Sequence, residues 1–566
     1  MGKFLLGVLA GVILVALFIV IGIFAIASLR TRPARVADGS TLILHLQGDI
    51  PETPPAVSIP FLQTETPVTV ENVWGMLRHA AADPRIKGVI FEPDGATPGW
   101  AKMQEIHADL EQFRKSGKPL TAYLKRPNSR EYYMATACSK IYMSPVDVLD
   151  LKGVGLELMY FKNTLDKLGV HVDVEHAGKY KDYGDMFTRS SMSPETNEVM
   201  SSLVDEIYGD LVNTIAKGRG KDPAAVRDII DNGPFLAKQA KANGLIDDLR
   251  YEDQILAGLK KTTEQEYAAA PASGKNKIAF VVAEGTIVRN GPVSFDGSTS
   301  LQSDTFDKMI ERIANDSSVK GVIVRIDSPG GEDVASDELL HAMQDLHRKK
   351  PVVISMSDAA ASGGYYMAMT GDPVIAYPAT ETGSIGVVFG KPNLHGLYDK
   401  LGISKDSVSR GRFARIESDY ESLSEAEREK LRQGIDSDYE NFLGKVAASR
   451  KKPVSAIEPI AQGRVWLGDQ AKANGLVDEL GGIDRALEMI KAKAGIPAAS
   501  DINLVLYPPK RSVLDLVLNS NSNSEADALL SGAGLEPLRT AWHDASLRVW
   551  MRGGMLRMMP FTIQIR

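Results

Sequence analysis

The chain has 566 residues and a mass of 61.4 kDa, which at about 100–200 residues per domain allows three or four units. It is 44% hydrophobic and 24% charged, with 50 Gly and 29 Pro, a balance that excludes disordered and fibrous classes. Lys+Arg 65 against Asp+Glu 72 leaves a net charge of −7, which argues against general affinity for nucleic acid, and the single Cys138 excludes an internal disulfide and any multi-cysteine metal site.

The first element is an uncharged apolar run of 26 residues, Phe4 to Leu29. As a helix it exceeds the roughly 30 Å hydrocarbon layer of a bilayer and spans it with some tilt. A cleaved signal peptide is the competing reading, because Ala25-Ile26-Ala27 has the small-x-small form. Such peptides carry only about 7–15 apolar residues, so residues 1–35 read as an uncleaved anchor. Lys3 precedes the span and Arg30, Arg32 and Arg35 follow it; that count leans towards a cytoplasmic C-terminal side, but long domains are exported largely regardless of such charges.

Beyond the anchor the chain repeats itself. Gln239 to Leu249 (QAKANGLIDDL) recurs as Gln470 to Leu480 (QAKANGLVDEL), differing at two positions in eleven. Asp83-Pro-Arg-Ile-Lys-Gly-Val-Ile90 matches Asp316-Ser-Ser-Val-Lys-Gly-Val-Ile323, and Asp166-Lys-Leu-Gly169 matches Asp399-Lys-Leu-Gly402. The offset stays at 231–233 residues, so these are two copies of one domain rather than a solenoid. The first copy is expected over 41–261 and the second over 278–495. Each opens on a strand, Leu42 to Gly48 and Ile278 to Gly285. In the second, a helix over Thr305–Ala314, a buried strand over Gly321–Ile326, a helix over Asp333–Arg348 and a strand over Pro351–Ser355 follow. Apolar strands alternating with amphipathic helices predict an α/β fold around a largely parallel sheet. Thr262 to Lys277 has linker composition, Asn519 to Glu525 reads as flexible, and residues 496–566 form a C-terminal extension. Its last stretch, Leu547 to Arg566, is rich in Met and Arg and suits local packing better than contact with lipid or another subunit.

The copies differ where chemistry would sit. Ser362 lies in Ala359-Ala-Ala-Ser-Gly-Gly-Tyr-Tyr366, which aligns with Arg126-Pro-Asn-Ser-Arg-Glu-Tyr-Tyr133. The first copy keeps a serine, Ser129, and replaces both glycines. Small residues beside a serine let a substrate backbone approach, and a helix from Tyr365 would add free N–H groups; alternatively Ser362 merely caps that helix. Ser328-Pro-Gly-Gly331 follows the buried strand, where backbone N–H groups can be left for an oxyanion; the bland alternative is a tight turn. The first copy has Asp94-Gly-Ala-Thr-Pro there. No histidine lies in these motifs, and His341 and His347 read as solvated. The remaining base is a desolvated lysine. Gly178-Lys-Tyr-Lys-Asp182 aligns with Gly411-Arg-Phe-Ala-Arg415, so Lys181 stands against Ala414. One copy has the serine and its glycines, the other the lysine, and the reciprocal loss points to a composite Ser–Lys site.

These residues resemble the signal peptide peptidase A family in its double-length, membrane-anchored bacterial form. The resemblance covers about residues 41–490 and rests on SPGG at Ser328, ASGGYY at Ala361, TGSIG at Thr382 and GKYK at Gly178. It implies tandem domains of the Clp protease/crotonase fold preceded by one transmembrane helix, with Ser362 as nucleophile and Lys181 as general base. It further implies that Ser384 orients Lys181, and that the N–H of Gly363, with that of Gly330 or Gly331, forms the oxyanion hole. A homotetramer in the bacterial cytoplasmic membrane is implied, its catalytic domains on the outer side, cutting signal-peptide remnants and other apolar peptides. Serine and lysine would meet between neighbouring copies or neighbouring subunits. No metal, nucleic-acid or nucleotide site is expected, since neither an HExxH spacing nor a GxxxxGK[ST] loop is present, and no cofactor is required. Two other readings compete: a crotonase-type acyl-CoA enzyme, which would not need Lys181, and a catalytically inactive membrane scaffold.

Overall fold

The computed structural model describes residues 36–54, 67–267, 274–289, 300–508 and 555–559. The expected anchor over 1–35 and the Ser/Asn-rich stretch 519–525 lie outside them. Among the described residues, no helix is long and apolar enough to cross a membrane.

In the first repeat, β1 (Ser40–Gly48), α1 (Val70–Ala82), β2 (Ile86–Ala96), α2 (Trp100–Arg114), β3 (Leu120–Leu124), α3 (Ser129–Ala135) and β4 (Lys140–Met143) alternate along the chain. β5 (His171–Ala177) leaves this body, and β6 (Asp248–Leu249) and β7 (Lys260–Thr263) return to it. The second repeat holds β8 (Asn276–Glu284), β9 (Thr286–Val288), β10 (Ser300–Gln302), α4 (Ser303–Asn315), β11 (Val319–Ser328), β12 (Gly330–Glu332), α5 (Asp333–Lys349), β13 (Val352–Ala361) and α6 (Gly363–Met367). It continues through β14 (Val374–Ala376), β15 (Glu381–Gly383), β16 (Val387–Asn393), α7 (Glu425–Arg450), β17 (Val465–Leu467), β18 (Glu479–Leu480) and β19 (Ile502–Tyr507); β20 (Met555–Met558) comes last.

Two sheets repeat one topology. In the first the order is β6-β4-β3-β2-β1-β7, all parallel. In the second, β18-β14-β13-β11-β8-β19 follows the same order, also parallel. The apolar runs that predicted strands are buried on both faces, as Val322, Ile323, Val324 and Ile326 of β11 show, which is the signature of a helix-covered parallel sheet. Helix α4 turns Phe306, Ile310 and Ile313 inward at helical spacing. Helix α1 is started by a capping box between Thr69 and Asn72.

Two expected boundaries shift. Thr262 and Thr263, expected to open the linker, instead close β7, which pairs with β1, and the far end of the expected linker, Asn276-Lys277, already belongs to β8. The second repeat does not stop at 495, because β19 pairs with β8 just as β7 pairs with β1. The C-terminal extension thus supplies an edge strand of the second sheet.

Among the described residues, a shared sheet and a buried charge cluster are two of the features that join the repeats. A third sheet, β10-β9-β12-β20-β16-β5, takes β5 from the first repeat and pairs it antiparallel with β16 of the second. A buried charge cluster links the main bodies: Arg325 Nη2 reaches Glu52 Oε1 at 2.9 Å and Glu105 Oε2 at 2.5 Å. Nearby, Lys102 Nζ reaches Asp327 Oδ2 at 2.7 Å. Each pair joins one repeat to the other.

Candidate active site

Strand β13 ends at Ala361, so Ser362 sits at the carboxyl edge of the parallel sheet, where ligands of open α/β sheets bind. Its backbone is strained, at φ 54° and ψ −114°, a conformation that persists only where surroundings impose it. The Ser362 N–H is held by the Gly383 carbonyl at 2.8 Å. Its side chain makes no cap bond to α6, so the capping alternative fails. The hydroxyl instead lies 2.7 Å from Lys181 Nζ.

Lys181 arrives from the other repeat. The pairing of β5 with β16 ends at Ala177↔Val387, and a turn through Gly178, at φ +109°, brings the chain over Gln462. There the Tyr180 N–H donates to the Gln462 carbonyl at 2.7 Å. Nζ contacts three oxygens: Ser362 Oγ at 2.7 Å, Ser384 Oγ at 2.9 Å and Ser384 O at 2.9 Å. As an ammonium, Nζ donates to all three; once neutral, it has two N–H groups left for the two Ser384 oxygens and a lone pair to take the Ser362 hydroxyl proton. All three side chains are buried. Burial pushes the Lys181 ammonium well below the ordinary lysine range; Asp182 opposes this, and the Arg557 guanidinium adds to it.

The glycines divide. A Cβ on Gly330 (φ +102°) would lie 2.8 Å from the Gly363 nitrogen, so these two residues face one cleft beside Ser362. The Gly330 N–H leans on Ser328 Oγ at 3.2 Å, whereas that of Gly363 stands at the open first turn of α6. Gly331 sits between β9 and β20 in the third sheet, and a Cβ there would strike the Ile287 carbonyl at 2.0 Å. Its lack of a side chain is thereby explained by packing. The helix after Ser362 begins at Gly363 rather than Tyr365 and runs five residues.

The model of peptidase family S49 matches residues 112–266 and 344–497, one stretch in each repeat. The chain belongs to peptidase family S49. It is 35% identical to a chloroplastic serine protease SPPA of Arabidopsis thaliana over 86% of this chain and 74% of that protein. It is 32% identical to Protease 4 of Salmonella typhi over 80% of this chain and 76% of that one, and 28% identical to Protease 4 of Haemophilus influenzae over 83% and 80%. The S49 chain is accordingly a serine peptidase, and the acyl-CoA and inactive-scaffold readings give way.

In this S49 peptidase the first repeat's counterpart site is filled. Glu131, aligned with Gly364, folds its carboxylate inward to accept the N–H groups of Ala96 at 3.0 Å and Asn128 at 2.8 Å. Asn128 caps α3, and Ser129 Oγ reaches only the Asp150 carbonyl, at 3.4 Å. Sequence reasoning missed the residues that make room for the lysine. A Cβ on Gly463 would lie 2.6 Å from the Lys181 nitrogen, and one on Gly386 would lie 3.1 Å from its Cδ. Gly386 lay inside the quoted TGSIG motif; Gly463 had no signal beyond following Gln462. His341 and His347 are exposed, as expected, with His347 Nδ1 2.9 Å from Asp372 Oδ2. Among the described residues no cluster of His, Cys, Asp or Glu is arranged to hold a metal ion.

Proposed function

We propose that this chain is a membrane-anchored endopeptidase that cuts apolar peptides, cleaved signal peptides among them, through a Ser362–Lys181 dyad. The observation that carries the proposal is a fully buried lysine whose Nζ lies 2.7 Å from the Ser362 hydroxyl and is otherwise held by Ser384. Lys181 takes the Ser362 proton as Oγ attacks the peptide carbonyl. The N–H groups of Gly363 and Gly330 hold the oxyanion, Gly330 turning from Ser328 to do so. Lys181 then gives its proton to the leaving amine. Water, deprotonated by the same amine, releases the acyl group from Ser362. Ser384 keeps the amine aimed throughout.

The apolar run at Phe4–Leu29 supports an anchor in the bacterial cytoplasmic membrane; the placing of the catalytic repeats outside it rests on the family resemblance alone. A relative named putative signal peptide peptidase SppA, from Enterococcus faecium, is 31% identical over 44% of this chain and 72% of that protein, which supports the substrate. The number four in the proposed homotetramer rests on the family resemblance; association itself is favoured by an exposed segment, since residues 404–410 are the second-repeat counterpart of β5, lie outside any strand, and expose Val408 at 89%. In the proposed assembly this segment does for a neighbour what β5 does for β16 within the chain.

A serine-reactive fluorophosphonate should label the purified full-length protein at Ser362. Turnover of an apolar fluorogenic peptide should fall at least about 10³-fold in both Ser362→Ala and Lys181→Ala, the scale for losing one member of a catalytic unit. Near wild-type turnover in Lys181→Ala, or no labelling of assembled protein, would overturn the dyad.

A further inference from the structure

The cleft beside Ser362 is occupied by the chain's own strand. β20 pairs antiparallel with β12 on one side, Gly330↔Met558, Gly331↔Arg557 and Glu332↔Leu556. On the other it pairs antiparallel with β16, Val388↔Leu556 and Phe389↔Met555. The Met559 N–H extends the ladder to the Pro329 carbonyl at 2.8 Å. An extended peptide bound this way takes affinity from the ladder and specificity from the pockets that receive its side chains. One carbonyl faces the reactive glycines. The Arg557 oxygen lies 2.1 Å from where a Cβ on Gly330 would stand, and 3.1 Å from where one on Gly363 would.

The side chain of that same residue enters a made pocket. Arg557 is only 2% exposed. Its Nη2 pairs with Asp438 of α7, and its Nη1 donates to the Asp333 carbonyl at 3.0 Å. Its Cζ stands 3.8 Å from the centre of the Tyr366 ring and 5.7 Å from that of Phe442. Tyr366 is four residues from Ser362 and is itself fixed by its hydroxyl bond to Asp337 at 2.7 Å, so pocket and nucleophile are rigidly linked. A carboxylate at the end of an aromatic-walled slot matches a guanidinium or ammonium. An apolar side chain there would leave the half-buried Asp438 carboxylate without its ion pair.

We propose that the Asp438–Tyr366 pocket is the subsite for a basic side chain on the acyl side of the bond to be cut, with β20 resting in the cleft as an intramolecular occupant that substrate displaces. The proposal rests on the peptidase reading above and narrows its substrate class to apolar peptides with Arg or Lys immediately before the cut. Signal peptides, whose positively charged n-region abuts an apolar stretch, offer that sequence.

The test is kcat/KM of full-length protein on matched fluorogenic peptides carrying Arg, Lys, Leu or Glu before the cut. Wild type should favour Arg over Leu by about tenfold or more, the scale of a charge-assisted contact. Asp438→Asn should cut that ratio by about the same factor, and Asp438→Glu should restore part of it. Arg557→Ala should raise kcat/KM for the Arg peptide, chiefly through KM, because the occupant is weakened. Indifference to Arg in both wild type and Arg557→Ala, or a ratio unmoved by Asp438→Asn, overturns the subsite. If that occurs while Ser362 is still labelled and the Leu peptide still cut, the peptidase reading stands alone. Absence of labelling and of all hydrolysis, in wild type and Arg557→Ala alike, overturns both.

Discussion

A lysine serves as a base only where keeping its charge costs more than losing it, and Lys181 meets that condition through burial among serine oxygens. Because its folded pKa lies below the ordinary value, the neutral form grows as pH rises. kcat/KM should therefore climb through the depressed lysine pKa and level off above it; a rate profile between pH 5 and 10 that is flat into acid would contradict this. The same shift sets a stability sign. The unfolded chain binds a proton here that the folded chain does not, so stability rises with pH between the folded and unfolded values. Lys181→Met should raise Tm at pH 7 while abolishing turnover, as scanning calorimetry would show. Gly364 is constrained by packing: its Cβ would lie 2.6 Å from the Ser328 carbonyl, and Gly364→Ala should cost about 1–3 kcal/mol by urea denaturation. Ser362 and Lys181 were legible in the sequence because each repeat lost what the other kept. Gly463 was not, since a backbone crossing between distant segments leaves no periodic trace.

At the scale of elements, β5 decides whether the two halves share a site. Asp173 and Glu175 on β5 are gripped by Arg428 and Arg432 of α7: Arg428 Nη2 pairs with Asp173, Arg428 Nη1 reaches Glu175 Oε1 at 2.7 Å, and Arg432 Nε reaches Glu175 Oε2 at 3.0 Å. Removing Arg428 leaves the buried Asp173 without its ion pair. Arg428→Ala should cost about 2–3 kcal/mol, reduce hydrogen-exchange protection across 171–177 and lower kcat; unchanged protection there would contradict the assignment. The strands at 42–48, 278–285 and 321–326 and the helices at 305–314 and 333–348 were readable from apolar period alone. Strands β7 and β19 were not: Lys260–Thr263 has no apolar alternation, and each pairs with a strand more than two hundred residues earlier. Nor did composition show that the extension returns as β20, because four residues of Met, Leu and Arg fit any packing role.

For the whole molecule, the proposed dyad divides its labour between two unequal copies of one fold. In the first repeat Glu131 stands where the second has Gly364, and in the proposed dyad the first repeat's lysine serves the second. That arrangement depends on the interface between the repeats staying closed, and buried charges lie across it. Arg325 lies within the apolar run Val322–Ile326, with Glu52 and Glu105 of the first repeat as its counter-ions. Sequence showed the arginine but not its partners. Arg325→Leu would strand both carboxylates and should cost about 3–5 kcal/mol, read from the urea midpoint.

The central claim is that serine and lysine of one chain complete one site. It is tested most directly by co-expressing Ser362→Ala and Lys181→Ala chains and assaying the mixed assembly. Each chain then lacks one half of its own dyad, so the account predicts no recovered peptide turnover. Recovery to a substantial fraction of wild type would show that the dyad forms between subunits, and would contradict it.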